Sequence, residues 1–337
     1  MQTKWKRWMR GAVICLPAWA GSVDLREAVV VARGGAPAAV LVEEVEKRSG
    51  IRLPVAEALP AGKAAIVITT RSGRAEGYRL KVEQRTGSPA AVRITASDAR
   101  GALYGVGELL RRMEWSKGEL RLPDSLDVDT APRYAIRGHQ LGYRAHANTY
   151  DAWTVAQYDQ YIRELALFGT NTIEGIPFQD TRVSPVMKST RREMNRAISE
   201  ICRRYALDYW VWLPVDFDLR NGGGKRRTDL LGKFDEFLKD AKELTGIFVP
   251  GGDPGNNPPE LVLPFLAELA QMMRPLHPKA RIWFSMQGFR KDEVEYVYQY
   301  LERESPWWMA GLVAGPSSPP LAETRRRLPK KYKLRMY

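Results

Sequence analysis

The chain has 337 residues, with 52 lysines and arginines against 39 aspartates and glutamates, two cysteines and three histidines. That length suits two domains, or one large barrel with a smaller companion, and 44% hydrophobic with 27% charged residues describes an ordinary globular protein. Cys15 and Cys202 make no disulfide framework, and histidines without close Cys/His spacing give no structural zinc site, so neither metal nor cofactor is expected.

The net charge of +13 is spread over "KRWMR", Arg191–Arg192, "GGGKRR" and "ETRRRLPKK". No zinc-finger, RRM or KH pattern accompanies it, so it reads as a basic solvated surface and nucleic acid is not an expected partner. At the start, Lys4, Lys6, Arg7 and Arg10 precede an apolar run from Gly11 to Ala20 that ends in "AWA". Residues 1–20 read as a signal peptide, which would place the protein in the periplasm or outside the cell; the alternative is an amphipathic or disordered lead-in. No other segment approaches the roughly 20 apolar residues of a membrane span.

Residues 23–130 read as a small α/β domain. The strand "AVVVA" (28–32) is followed by a helix, "APAAVLVEEVEKRSG", with Pro37 near its start and Gly50 past its end. Three strands follow, "AAIVITT", "GYRLKVEQ" and "AVRITA", the last two alternating apolar and polar residues as in a sheet with one wet face. The next helix, "SDARGALYGVGELLRRM", has Ser97 as its expected cap and Leu103, Val106, Leu110 and Met113 along one stripe. "LRLPDSLDVDTAPRY" is expected to serve as a linker.

From residue 131 short apolar segments alternate with amphipathic helices. They are "YAIRG" ending at Gly138, "TNTIEG" with Glu174, "YWVWL" ending at Leu213, "GIFV" ending at Val249, "RIWFS" ending at Ser285 and "AGLVAG" with Val313. Their ends fall roughly 28 to 39 residues apart, one strand-helix unit of an α/β barrel. In the first helix Thr154 and Gln157 form a capping-box pair, and Tyr158, Ile162 and Leu165 share a face. A doubly wound sheet has the same periodicity, but no Gly-rich phosphate loop follows the first strand. The fold class expected is therefore α/β: a small N-terminal domain, then a (β/α)8 TIM-type barrel truncated after about six and a half units, with "KYKLRMY" as a seventh strand. Such a sheet has two uncovered edges, for which poor solubility or dependence on a missing piece is expected.

"ITASDARGALYGVGELLRRM" is similar to the end of the small domain that precedes the barrel in beta-N-acetylhexosaminidases (family 20) and in alpha-glucuronidases (family 67). "APRYAIRGHQLGYR" resembles the entry to their first barrel strand, where an arginine commonly contacts substrate. "GGDPG" (Gly251–Gly255) resembles the hexosaminidase motif Gly-Gly-Asp-Glu at the end of the fourth strand. The resemblance implies a sugar-active barrel in which Asp253 stands for the aspartate that orients the substrate's 2-acetamido group. It departs where the general-acid glutamate is due, because Pro254 has no proton to give. In the glucuronidase pattern Asp253 would itself be the acid at the end of that strand.

Several polar residues fall near strand ends, the face where barrel enzymes place their sites. Asp253 is the candidate acid; otherwise it makes an Asx-type turn or caps the helix near Glu260. Glu174 is its candidate partner, since glycoside hydrolysis needs two carboxylates about 5 to 9.5 Å apart; otherwise it pairs with Arg137 or Arg144. Asp216 is a candidate hydroxyl binder, or it holds Arg220 or orders the glycine loop. Arg137, His139, Tyr143 and Arg144 are assigned to the substrate rim, with packing as the plainer role for the histidine. Trp212 and Trp283 are candidate platforms under a sugar ring, or else barrel core with Trp210, and Gln287 is a candidate hydroxyl binder. The expected function is hydrolysis of a hexosaminide or glucuronide, with a carbohydrate as the partner. The alternative is a barrel that binds carbohydrate without turnover.

Overall fold

The computed structural model describes residues 21–84, 87–142, 149–179 and 185–336. The expected signal peptide, Cys15, Tyr143 and Arg144 lie outside the described residues. The chain divides into two units: one from the start to Asp98 with Glu108–Ala131, the other from Ala99–Gly107 and from Pro132 onward.

In chain order the first unit begins with β1 (Ser22–Asp24), β2 (Val29–Val31), α1 (Ala36–Ser49), β3 (Val55–Ala56), β4 (Ala65–Thr70), β5 (Tyr78–Glu83) and β6 (Ala91–Ala96). Helix α2 (Ala99–Arg112) runs from the second unit into the first, and β7 (Glu114–Ser116), β8 (Glu119–Pro123) and β9 (Asp127–Thr130) complete the latter. Six strands form a mixed sheet in the order β3-β2-β4-β6-β5-β9, and β1-β8-β7 form a small antiparallel sheet. Alternate residues of the larger sheet (Ile66, Leu80, Val92, Ile94) and the apolar stripe of α1 (Leu41, Val45) are fully buried, which is the burial that holds this unit. Helix α1 ends as its sequence requires: Gly50 takes the left-handed conformation, φ 76°, and its N–H donates to the Glu46 carbonyl.

Two expectations are corrected here. The Ser97 hydroxyl accepts from the Gly77 N–H at 3.0 Å, so it ties down the entry to β5, and the residue directly before α2 is Asp98. The expected linker forms β8 and β9. Strand β9 is too acidic to carry strand propensity, but Asp127 and Asp129 face Arg79 and Arg74 of the neighbouring segment, and pairing supplies what composition lacks.

The second unit continues with β10 (Gly138–Gln140), α3 (Val155–Leu167), β11 (Thr172–Gly175), α4 (Arg191–Arg204), β12 (Asp208–Trp212), α5 (Gly224–Asp240), β13 (Gly246–Val249) and α6 (Pro259–Met273). It ends with β14 (Arg281–Ser285), α7 (Lys291–Glu304), β15 (Met309–Ala314), α8 (Leu321–Arg327) and β16 (Lys333–Met336). All seven strands are parallel and lie in sequence order, β10 to β16. Every residue of β11 and β13 is buried, as expected when helices flank a parallel sheet.

The sheet is curled. Inward residues from separate strands (Trp210, Phe248, Trp283, Val313) form one cluster, and Glu174 on β11 bonds to Arg335 on β16 across the interior. Among the described residues β10 and β16 do not pair, so the sheet is the open arc of a TIM-type barrel. The first strand is displaced from its expected place: only the last residue of "YAIRG" belongs to β10, which starts at Gly138, opposite Thr172, and reaches its carboxyl end at Gln140, opposite Glu174. Arg137 holds the chain there, because its guanidinium donates to the carbonyls of Gly169 (2.7 Å) and Tyr134 (2.6 Å).

Candidate active site

The loop after β13 is built for close approach. A Cβ on Gly251 would stand 2.2 Å from the Ser285 carbonyl oxygen, so only glycine lets this loop lie against the end of β14. The Gly252 N–H then donates to the Gln287 carbonyl at 2.8 Å. On the other side Gly255, at φ 102°, lies where a Cβ would meet the Val215 carbonyl at 2.0 Å. The buried Asn257 side chain fastens that side: its Nδ2 donates to Phe217 O at 2.7 Å and its Oδ1 accepts from Leu219 N at 2.7 Å. Three successive strand-end loops are thus tied together at the carboxyl face.

On this platform Asp253 is exposed, and Gln287 Nε2 donates to its Oδ2 at 2.8 Å. Two residues singled out in sequence are therefore brought together. Asp253 does not cap the next helix, whose N-cap position is Pro258, with no side-chain cap. In the β12 loop the buried Val215, Phe217 and Leu219 alternate with exposed Asp216 and Asp218, which places both acids on one side. Asp216 pairs with Arg226 at 3.0 Å, and Arg220 goes to Asp218. Both pairs are exposed and exchange partners at little cost.

Glu174 has different surroundings. Its Oε1 accepts from Gln140 Nε2 at 2.7 Å and its Oε2 from Arg335 Nη2 at 3.1 Å. The Arg335 guanidinium lies 4.3 Å from the ring centre of Trp210, 5.1 Å from Phe248 and 5.6 Å from Trp283. Burial pushes the Glu174 carboxyl above its ordinary 4.5, while Arg335 and Gln140 pull against that shift. Among the described residues its partner is Arg335 and not the expected Arg137, and sequence reasoning passed Arg335 over. Its only local signal is a cation alternating inward in a strand, "KLRM". Glu174, Gln140 and Trp283 line a cavity of about 1100 Å³ beside both edge strands, and Asp253 is not among its lining residues.

The remaining candidates divide. Arg137 lies at the amino end of β10, bonded to two carbonyls and to the Tyr104 hydroxyl (3.0 Å), away from the carboxyl face to which it was assigned. His139 turns toward α3, where its Nε2 meets the Tyr161 hydroxyl at 3.0 Å, and burial lowers its pKa. Trp283 is buried and stacked on Trp210 at 5.1 Å, a core position, whereas Trp212 is half-buried beside that cluster. The bonds of Asn257 to the β12 loop have no signature in sequence. Among the described residues no group of acidic, histidine or cysteine side chains is placed to hold a metal ion, and no helix is long and apolar enough to cross a membrane.

Comparison with known proteins agrees with this architecture. Residues 18–125 match the sequence pattern of Glycosyl hydrolase family 20, domain 2. A mutant Streptomyces plicatus beta-hexosaminidase solved with its product GlcNAc is similar in structure, with TM-score 0.61 and 14% identity over 87% of this chain and 71% of that one. The family 20 beta-N-acetylhexosaminidase of Streptomyces coelicolor A3(2) has TM-score 0.60 and 16% identity, covering 88% and 72%. The exo beta-N-acetylglucosaminidase of Vibrio harveyi has TM-score 0.59 and 12% identity, covering 94% and 67%. No curated protein matches by sequence. At these identities the likeness is one of fold.

Proposed function

We propose that this protein is a glycosidase acting on a hexosaminide or glucuronide, with Asp253 as its essential acid at the carboxyl face of the barrel. The observation that carries this reading is the loop itself. An exposed carboxylate is held by Gln287 on a segment anchored through Gly251 on one side and Asn257 on the other. A carboxylate positioned by its supporting residues is suited to accept a proton or to orient a polar group of the substrate. The family 20 pattern in residues 18–125 and the hexosaminidase-like fold support the substrate class. Asp216, on the loop that Asn257 fastens, is the nearest candidate in chain order for the second carboxylate or for a sugar hydroxyl. Glu174, buried and held by Arg335, lines a cavity whose walls do not include Asp253.

A second reading is a carbohydrate-binding barrel without turnover. Pro254 after Asp253 favours it, and so does the engagement of Glu174 by Arg335. One substitution separates the two. In Asp253→Asn the amide still accepts from Gln287, so folding is retained. Turnover of hexosaminide or glucuronide reporters should be abolished, with glycan affinity held within about tenfold, roughly 1.4 kcal/mol. Full activity in the variant would sink the catalytic reading. Glycan binding with no turnover by the unsubstituted protein would select the second.

A further inference from the structure

The wet face of the six-stranded sheet carries a groove that the reading above does not use. Strands β5 and β6 pair so that Lys81 lies directly opposite Arg93, with Arg79 opposite Thr95. These alternate with the buried Leu80, Val82, Val92 and Ile94, and so share the other face. Like charges directly across a sheet repel, so a face that places Lys81 against Arg93 attracts anions.

The protein's own acids meet this demand in part. Arg93 reaches Glu83 at 3.3 Å, Arg79 and Lys81 share Asp127 at 2.8 and 3.3 Å, and Arg74 reaches Asp129 at 3.0 Å. The side chain of Arg71, just past β4, has no partner among the described residues. Between these side chains lies a groove of about 340 Å³, with Ser72 and Thr95 also on its walls. Arg71, Arg74 and Arg79 are exposed, and ion pairs in such positions contribute little, so an incoming anion can replace a protein carboxylate cheaply.

We propose that this groove binds an acidic polysaccharide, a chain bearing carboxylates or sulfates, through Arg71, Arg74, Arg79, Lys81 and Arg93. Guanidinium groups match carboxylate and sulfate oxygens in pairs, and the hydroxyls of Ser72 and Thr95 suit sugar hydroxyls. Single-stranded nucleic acid is the weaker fit. It needs aromatic platforms for its bases, and the groove's one ring is the half-buried Tyr78. The inference does not depend on catalysis at Asp253.

The test uses the full chain with fluorescently labelled oligogalacturonate and chondroitin sulfate oligosaccharides. Dextran and oligothymidylate serve as competitors, at low and at physiological salt. Arg71→Ser with Lys81→Gln removes two groove cations, and Arg326→Ser with Lys330→Gln removes two exposed cations from the other unit. The groove pair should weaken binding by about tenfold or more and flatten its salt dependence, and the control pair should change it by less than about twofold. If the groove pair lowers the melting temperature, Arg71→Ser alone carries the comparison. Equal losses in both pairs would assign binding to overall charge and overturn the proposal. So would no binding at all, displacement by dextran, or tighter binding of oligothymidylate that the same groove substitutions abolish.

Discussion

Glu174 and Arg335 stand on the second and seventh strands of the arc and meet at 3.1 Å, with side chains only 6% and 13% exposed. Neither charge is well solvated, so each depends on the other. Arg335→Met would leave the carboxylate buried with Gln140 as its one partner among the described residues, and breaking a buried pair from one side costs about 3–5 kcal/mol. The double variant Glu174→Gln with Arg335→Met should recover most of that loss, because the uncompensated charge is gone and methionine fills the space among Trp210, Phe248 and Trp283. Urea unfolding of the two single variants and the double variant measures this coupling. Strictly additive losses would mean that the two residues act independently. Asp253 was legible as a residue to watch, because glycine pairs and proline after an apolar run mark a shaped loop. Its partnership with Gln287 was not, since nothing in either segment specifies which loop comes alongside.

Helix α3 shows how far local chemistry reaches. Thr154 Oγ1 accepts from the Gln157 N–H at 3.3 Å, Gln157 Oε1 accepts from the Thr154 N–H at 2.9 Å, and Tyr158 and Ile162 are buried. Thr154→Ala removes the side-chain half of this box and should cost about 1 kcal/mol in chemical denaturation, while leaving the helix in place. No change in the unfolding midpoint would mean that water replaces the cap at no cost. The box was readable because it is completed within four residues. Strands β9 and β10 were misread for the opposite reason. The residues of β9 have little strand character of their own and are strands because Arg79 and Lys81 lie alongside. The start of β10 depends on where Arg137 finds its carbonyls.

For the molecule as a whole, Glu174 gives stability a definite dependence on pH. Burial raises its carboxyl above the ordinary 4.5, so in this region the folded state holds the proton more tightly than the unfolded chain. The resulting stabilisation is fully present below 4.5 and is lost as pH rises through the higher folded value. Carboxylates held low by arginines, such as Glu108 beside Arg111 and Arg112, act in the opposite sense and lose their contribution in acid. Comparison with Glu174→Gln isolates the first effect: the unfolding free energy of the parent relative to this variant should fall as pH rises above the carboxyl's ordinary 4.5. A difference that is flat, or that grows with pH, would place the carboxyl at or below its ordinary value.

The sequence alone determined the alternation of strand and helix, the parallel order that follows from it, and the position of Asp253 just beyond the fourth barrel strand. Those features come from periodicity, caps and turn residues, whose physics acts over a few neighbours. Only the tertiary structure decided that Glu174 is held by a residue 161 positions away, that Arg137 lies at the amino end of its strand, and that Asn257 joins two loops. The first of these contacts exists because the sheet curls until distant strands face one another, and the other two join segments that strand pairing has already set side by side. A charge or amide in a linear sequence carries no record of the partner that the curl will bring.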